Sequence, residues 1–273
     1  MRLLFLGDVV GRSGREAVAE RLPGLIARYA FDFVVVNGEN ASHGKGLIEN
    51  HYRGLRDAGA DIVTLGDHAF DQREALSYIE REPALVRPIN YAPGTPGRGA
   101  MLAEGRNGHR VLVVNALGRV FMPPIDDPFR AVEAAIAACP LGEQADAVIV
   151  DFHTEATSEI QAMGHFLDGR ATLVVGTHTH IPTSDHRILR GGTALMADAG
   201  MCGDFDSVIG VDMDEPLNRF LTGLPNGRFN PAEGEATLCG VAVETEPGTG
   251  LARHVAPLRL GGVLAQTLPE FPG

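Results

Sequence analysis

The stretch Leu173-Val174-Val175-Gly176-Thr177-His178-Thr179-His180 joins a short apolar run to two histidines two residues apart. In an extended chain such side chains point the same way, so both imidazoles can reach one site at a strand end. Oxygen or imidazole groups follow four other apolar runs: Asp8, Glu39 with Asn40, Asp67 with His68, and His153. Five predicted strand ends therefore carry eight candidate ligands and no thiolate. This set indicates a metal site of hydrolytic character.

Short apolar runs alternate with amphipathic helical stretches along most of the chain, which predicts a mainly parallel sheet. In open α/β sheets, ligands bind beyond the carboxyl ends of the strands, where all the candidate groups fall. Helices are predicted at about 50–58, 71–80, 128–138 and 154–168, and later strands near 111–116, 171–176, 193–198, 236–245 and 253–260. The last third shows no clear helix and alternates like antiparallel β structure. Without a repeat or composition break, residues 1–273 are predicted to form one domain.

The first helix is predicted to begin near Ser13. Ser13 and Glu16 have the spacing of a capping box, in which each side chain satisfies a free backbone N–H of the other residue. Pro23 lies within the apolar pattern that follows, so we expect it to kink or split this helix.

Composition limits the classes of partner. The formal net charge is −12 without a Lys/Arg cluster, which argues against a long nucleic-acid duplex. No apolar run approaches the ~20 residues that span a bilayer, and the apolar N-terminal stretch is too short for a signal peptide. The three cysteines are odd in number and widely spaced, which is typical of reduced, buried thiols. We expect a cytoplasmic protein that does not bind membranes.

Each candidate group also has an ordinary interpretation. Asp8 could cap a turn or helix, Glu39-Asn40 could be a solvated turn, and His153 could be a core histidine. His43 could contact substrate. A dinucleotide site at residues 7–14 is disfavoured because the spacing is not G-x-G-x-x-G. The remaining histidines are interpreted as ordinary helix or surface residues: His51, His109, His165, His186 and His254.

The ordered set of motifs resembles the calcineurin-like metallophosphoesterases, whose pattern runs D-x-H, G-D, G-N-H, H and G-H-x-H. Within that superfamily the chain is similar to the bacterial YmdB-like branch, and the resemblance covers nearly the whole chain. It rests on the segments 7–11, 37–41, 151–159 and 175–180. It implies a metallophosphatase-like four-layer αββα sandwich, with two mixed β-sheets face to face and helices outside. It also implies a dinuclear metal centre at the strand ends.

The resemblance assigns a role to each candidate group. One metal would take Asp8, Asn40 and His180, the other would take Asp67, His153 and His178, and Glu39 would bridge them. Carboxylate, amide and imidazole ligands suit Fe, with Mn and Zn as alternatives.

The implied reaction is hydrolysis of small anionic phosphodiesters, with 2′,3′-cyclic nucleotides as the suggested substrates. A hydroxide between the metals would attack phosphorus. His68, which is not assigned as a ligand, would protonate the leaving oxygen as general acid. The sequence leaves open whether the chain forms a homo-oligomer.

Two departures from the superfamily pattern keep other functions open. Val10 stands where the first motif usually has a histidine, and Asp67 stands where the family has asparagine. An aspartate adds negative charge and lacks the amide N–H donor, so a metal-binding regulatory protein with little turnover is one alternative. A dinuclear amide or ester hydrolase is another, although such enzymes usually carry H-x-H after the first strand.

Overall fold

The computed structural model describes residues 1–271. Its strands are β1 (Arg2–Leu6), β2 (Phe33–Asn37), β3 (Ile62–Thr64), β4 (Leu85–Val86), β5 (Ala100–Glu104), β6 (Arg110–Leu117), β7 (Ala147–His153), β8 (Leu173–Thr177), β9 (Arg187–Ile188), β10 (Ala194–Met196), β11 (Gly203–Asp204), β12 (Ala236–Thr245) and β13 (Ala252–Leu260). Its helices are α1 (Gly11–Tyr29), α2 (Glu49–Asp57), α3 (Ala75–Tyr78), α4 (Pro128–Ala138), α5 (Thr157–Phe166) and α6 (Asp214–Thr222).

The strands form two mixed sheets. One has the order β11-β12-β1-β2-β3-β4, with β13 also paired to β12, and the other has the order β5-β6-β7-β8-β10-β9. The run β1 to β4 is parallel, as is the run β6-β7-β8-β10, whereas β12 and β5 pair antiparallel to their neighbours. The parallel strands of each sheet therefore end at a common edge.

Alternation along the strands separates three apolar layers. In β1, Leu3 and Phe5 pack into a core that also holds Ile149 from the other sheet. Leu4 and Leu6 face the opposite way and pack with residues of α1. A third core joins α4 and α5 to the outer face of the second sheet. The predicted αββα sandwich, with two face-to-face mixed sheets and helices outside, is confirmed.

The start and the continuity of α1 differ from prediction. The helix begins at Gly11 with Val10 as N-cap, and no side chain caps it. Ser13 Oγ instead donates to the Ala232 carbonyl, while Glu16 accepts from Arg12 Nε, so the capping box was wrong. Pro23 lies inside α1, which runs from Gly11 to Tyr29 without being split. Because Pro23 is exposed, water can satisfy the carbonyl that lacks its helical donor.

Several other boundaries match closely, and two elements do not. The predictions at 128–138 and 236–245 match α4 and β12. The helix expected at 71–80 shrinks to Ala75–Tyr78, because turns occupy the residues before it. The last third does contain a helix, α6. Among residues 1–271, no helix has the length and apolar character needed to cross a membrane.

Candidate metal centre

The seven proposed ligands meet where parallel strands of the two sheets end. Asp8 follows β1, Glu39 and Asn40 follow β2, and Asp67 follows β3 in one sheet. From the other sheet, His153 is the last residue of β7, and His178 and His180 follow β8. Both sheets therefore contribute to one site at their shared carboxyl-end edge.

Three side-chain atoms of other candidate ligands surround a single nitrogen of His153. Its Nε2 lies 3.1 Å from Glu39 Oε1, 3.0 Å from Asp67 Oδ1 and 3.0 Å from His178 Nδ1. One imidazole nitrogen cannot make three good hydrogen bonds at once. Atoms bound about 2.1 Å from one ion at right angles lie about 3.0 Å apart, as these do. Ligand atoms of Glu39, Asp67, His153 and His178 all fall within 4.8 Å of one another, so the cluster can hold a metal ion.

Asp8, Asn40 and His180 lie beside this cluster. Asp8 Oδ2 accepts from the His178 backbone N–H, but Oδ1 is buried and has no hydrogen-bond donor within residues 1–271. Asn40 Nδ2 lies 3.0 Å from His180 Nε2 and 3.2 Å from Glu39 Oε1. Ligation by the Asn40 oxygen requires the amide to turn over. The unpaired Asp8 oxygen is what a second cation would satisfy, so these residues fit a further metal.

His180 is held in a tautomer suited to ligation. Its Nδ1–H donates to the Ile209 carbonyl at 2.7 Å, which leaves Nε2 with a lone pair directed at Asn40. Burial lowers the pKa of His180, so the ring is neutral near neutral pH.

The charges of the site favour a cation. Burial raises the pKa of Asp8 to about 6. For Glu39, burial acts in the same direction, but the charge and hydrogen bond of His153 outweigh it and lower the pKa. Burial alone would lower the pKa of His153, yet Glu39 and Asp67 raise it well above its usual value. The nearby carboxylates thus favour the protonated, positively charged form of the His153 ring. Metal ions, which carry more charge, would neutralise these carboxylates more completely.

Gly66 allows the ligands to approach one another. A Cβ at this position would lie 2.6 Å from His153 Nε2 and would also collide with Glu39 Oε2. Only glycine lets the chain after β3 pass beside the two ligands that the site brings together.

The two histidines of the H-x-H motif converge for a reason that the sequence did not reveal. β8 ends at Thr177, and His178 and His180 have φ values of 102° and 67°, so the segment is a turn. Asp198 Oδ2 stabilises it by accepting from the Thr179 amide and hydroxyl, at 3.0 and 2.8 Å. The extended geometry expected for this motif was wrong, although both rings do reach the site.

His68 lies beside the ligands without joining their cluster. Its backbone N–H donates to Glu39 Oε2 at 3.2 Å, and its Nδ1 lies 3.0 Å from Asp71 Oδ2. Asp67 and His68 lie in a turn over residues 67–70. The sequence analysis did not identify Asp71 as a site residue. Its position three residues after His68, close enough for the two side chains to meet in a turn, was the available signal.

A buried chain of hydrogen bonds behind His153 was also missed. Thr177 Oγ1 donates to Asp151 Oδ1 at 2.7 Å and therefore accepts from His153 Nδ1–H at 2.9 Å. Asn37 Nδ2 donates to the other Asp151 oxygen. This arrangement leaves His153 Nε2 as the ligand atom. Strand alternation places Asp151 on the same face as His153, which was the available signal.

Glu155, which sequence reasoning also missed, contacts His178. Glu155 Oε2 lies 3.2 Å from His178 Nε2, which leaves His178 Nδ1 to face His153 and Asp67. Glu155 is exposed and follows β7 by two residues.

The remaining candidates lie outside this network. His43 is exposed, while its neighbours Gly44 and Lys45 line the cavity beside the site, so its contact with substrate stays a prediction. Burial raises the pKa of Cys202 to about 12, which makes the thiol unreactive. The histidines interpreted as ordinary neither ligate the cluster nor line this cavity: His51, His109, His165, His186 and His254.

Comparisons with known proteins agree over nearly the whole chain. A family model described as YmdB-like protein matches residues 4–258. A 2′,3′-cyclic-nucleotide 2′-phosphodiesterase of Bacillus subtilis is 47% identical over 249 residues, covering 91% of this chain and 93% of the relative. A putative phosphatase/phosphodiesterase of Mycoplasma pneumoniae is 37% identical over 256 residues, covering 91% of this chain and 89% of the relative.

Two crystal structures share the fold. A hypothetical protein from Thermus thermophilus superposes with a TM-score of 0.89 at 44% identity, covering 96% of this chain and 100% of the other. A novel phosphatase from Mycoplasma pneumoniae gives a TM-score of 0.88 at 34% identity, covering 96% of this chain and 93% of the other.

Proposed function

The chain belongs to the YmdB-like protein family and is a phosphoric ester hydrolase, and from this premise we propose that it cleaves small phosphodiesters at a two-metal centre. The proposed substrates are 2′,3′-cyclic nucleotides, after the activity named for the Bacillus subtilis relative. The convergence of three ligand atoms on His153 Nε2 is the observation that carries this proposal.

In this proposal the ligands divide into two sets. Asp8, Asn40 and His180 would hold one ion, and Asp67, His153 and His178 would hold the other. Glu39 would lie between them, since its Oε1 is 3.1 Å from His153 Nε2 and 3.2 Å from Asn40 Nδ2. The oxygen and nitrogen donor set without thiolates suits Fe, with Mn and Zn as alternatives. When bound, two such ions neutralise phosphoryl oxygens and activate water.

His68 supplies the proton for the leaving group. Nδ1 is directed at Asp71, and the opposite nitrogen, Nε2, lies 3.9 Å from Asp67 Oδ2 on the side of the metal cluster. As the water oxygen bonds to phosphorus and releases a proton to solvent, the P–O2′ bond breaks and His68 Nε2 protonates the departing O2′. Solvent then returns a proton to His68. The product is a 3′-phosphate monoester with a free 2′-hydroxyl. Asp71 Oδ2, 3.0 Å from His68 Nδ1, fixes the orientation of the ring.

Chelation tests this function. We expect the protein purified without added metal to hydrolyse 2′,3′-cyclic AMP and bis-p-nitrophenyl phosphate, to lose activity with chelator, and to regain it with Fe or Mn. Glu39→Gln should abolish both activities, while His165→Gln, an exposed histidine on α5, should retain them. Undiminished activity after complete metal removal would contradict the proposal.

Asp67 favours a second candidate, a metal-binding regulatory protein with little turnover. Asp8, Glu39 and Asp67 place three carboxylates against the roughly four or five positive charges of two ions, which leaves less attraction for an anionic substrate. Protein that binds two ions per chain yet hydrolyses neither substrate would favour this candidate.

We also propose a single domain and a cytoplasmic location for this chain. We treat residues 1–273 as one metallophosphoesterase domain, since the inter-sheet core draws on both halves of the chain. A cytoplasmic location is supported by the three free cysteines Cys139, Cys202 and Cys239. Homo-oligomerisation stays a prediction.

A further inference from the structure

We propose that an apolar wall beside the metal centre is the subsite for the nucleobase of the substrate. The wall consists of Val208, Ile209, Val211, Pro216, Phe220 and Phe229. This inference rests on the proposed function, because it assigns the part of a cyclic nucleotide that the metal centre does not touch.

The wall and the metal centre enclose one cavity of 350 Å³. Glu39, Asn40, His68, His178 and His180 line it together with the six residues of the apolar wall. Its volume lies within the ~300–1,000 Å³ of small-molecule sites. A ligand that fills it needs a polar, anionic end for the metals and an apolar end for the wall. A cyclic nucleotide has both, with ribose between the phosphate and a flat base.

Two aromatic rings give the wall the chemistry of a stacking surface. Phe220 is 86% exposed and Phe229 is 42% exposed. The Arg219 guanidinium stacks over the Phe229 ring at 4.1 Å and holds it in place. Bases stack on aromatic side chains with little regard to their identity, because every base has a π face. We therefore expect the protein to bind 2′,3′-cyclic nucleotides with only a weak preference among the bases.

Ile209 connects the wall to the metal centre. Its carbonyl accepts from His180 Nδ1 at 2.7 Å, while its side chain, 48% exposed, lines the cavity. The residue has a φ of 48°, a conformation that β-branched residues rarely adopt. Such strain persists only where the surroundings enforce it, and functional sites are where it collects. One residue thus orients a metal ligand and presents an apolar surface at a fixed distance from it.

The test compares substrates with and without a base. The specificity constant, kcat/KM, is measured first with 2′,3′-cyclic AMP and then with methyl β-ribofuranoside 2,3-cyclic phosphate, which keeps the reacting ring and lacks the base. The variants are Phe220→Ala and Phe229→Ala. Leu221→Ala is the matched control for Phe220→Ala, since Leu221 is the next residue of α6, is 83% exposed and does not line the cavity.

We expect the wild-type ratio of the two specificity constants to favour cyclic AMP. Phe229→Ala should lower that ratio about five-fold or more through KM, as stacking energies imply, and Phe220→Ala should lower it in the same direction. Leu221→Ala should leave it unchanged. A wild-type ratio near one, or variants that lose activity equally on both substrates, would overturn the subsite while the proposed phosphodiesterase activity stands.

Two further outcomes are distinguishable. Hydrolysis of neither substrate by wild-type protein loaded with metal would refute the proposed function, and the subsite with it. Size-exclusion chromatography of the same samples reports assembly. If Phe220→Ala and Leu221→Ala both dissociate an oligomer and leave the ratio unchanged, the wall is a contact between copies and the subsite is refuted.

Discussion

Thr177 fixes the orientation of His153, and Thr177→Val should separate this role from simple packing. The hydroxyl is fully buried and joins Asp151 Oδ1 to His153 Nδ1. Valine places a methyl group where the hydroxyl was, so it opens no cavity. It removes the hydrogen bond that the hydroxyl accepts from the His153 ring and the one that it donates to Asp151.

The structure gives the size of the effect. The variant leaves the Asp151 oxygen without this donor and the His153 N–H without this acceptor, and each unsatisfied buried group costs about 1–3 kcal/mol. We therefore expect the free energy of unfolding of the metal-free protein to fall by about 2–6 kcal/mol. Metal affinity should fall about 10–100-fold, which is typical when the hydrogen-bond partner of a metal-ligating histidine is removed.

Denaturant unfolding of metal-free protein and a metal titration measure these two quantities. Thr177→Ser is the control, because it keeps the hydroxyl and loses only a buried methyl, at about 1 kcal/mol. It should bind metal nearly as wild type does. Equal metal affinity in the valine and serine variants would refute the reasoning, since packing rather than the hydroxyl would then control the site.

Three further substitutions test individual roles. Glu39→Gln should reduce metal content at both sites more than any other single ligand change, and elemental analysis showing two full sites would rule out Glu39 as the bridge. His68→Ala should keep both metals and lower turnover of 2′,3′-cyclic AMP about 10²–10⁴-fold, with a smaller loss on p-nitrophenyl esters, whose leaving group departs without a proton. Equal losses on both substrates would indicate a structural role. Asp67→Asn should raise turnover and weaken the second metal, because the amide keeps an oxygen ligand and removes a negative charge. Unaltered rates at full metal occupancy would show that this aspartate acts as asparagine would.

Strand periodicity predicted a mainly parallel α/β sheet and the edge at which the site lies, whereas the family resemblance implied the two-sheet αββα sandwich. Apolar runs such as those ending at Leu6 and Thr177 are buried strands, and parallel strands place their carboxyl ends together. The polar residues after each run therefore came together without knowledge of the tertiary contacts. Their roles as ligands remain predictions for the experiments above.

Features that depend on distant contacts escaped prediction. The turn that aims His178 and His180 needs Asp198, which lies on another segment. The helix expected at 71–80 gives way to turns before Ala75, and there Gln72 donates to the carbonyls of Ser42 and Lys45. Tertiary hydrogen bonds outweigh the local preference in both places, for extended chain at residues 178–180 and for helix before Ala75.

α6 was missed for a different reason. Phe220 and Leu221 face solvent, so the helix lacks the buried apolar stripe that reveals other helices. Its boundaries did carry signals, namely acidic residues in the first turn and Gly223 in the left-handed conformation after the last. These terminal residues, rather than apolar periodicity, are the sequence feature that predicts α6.

The central claim is that phosphodiester hydrolysis depends on two metal ions held at the shared edge of the sheets. The most direct measurement is the rate of 2′,3′-cyclic AMP hydrolysis by metal-free protein titrated with Mn²⁺, with bound metal per chain determined on the same samples. We predict no turnover without metal, a rise that continues through the second bound equivalent, and a plateau beyond it. Full turnover in metal-free protein, or two bound ions without turnover, would contradict the account.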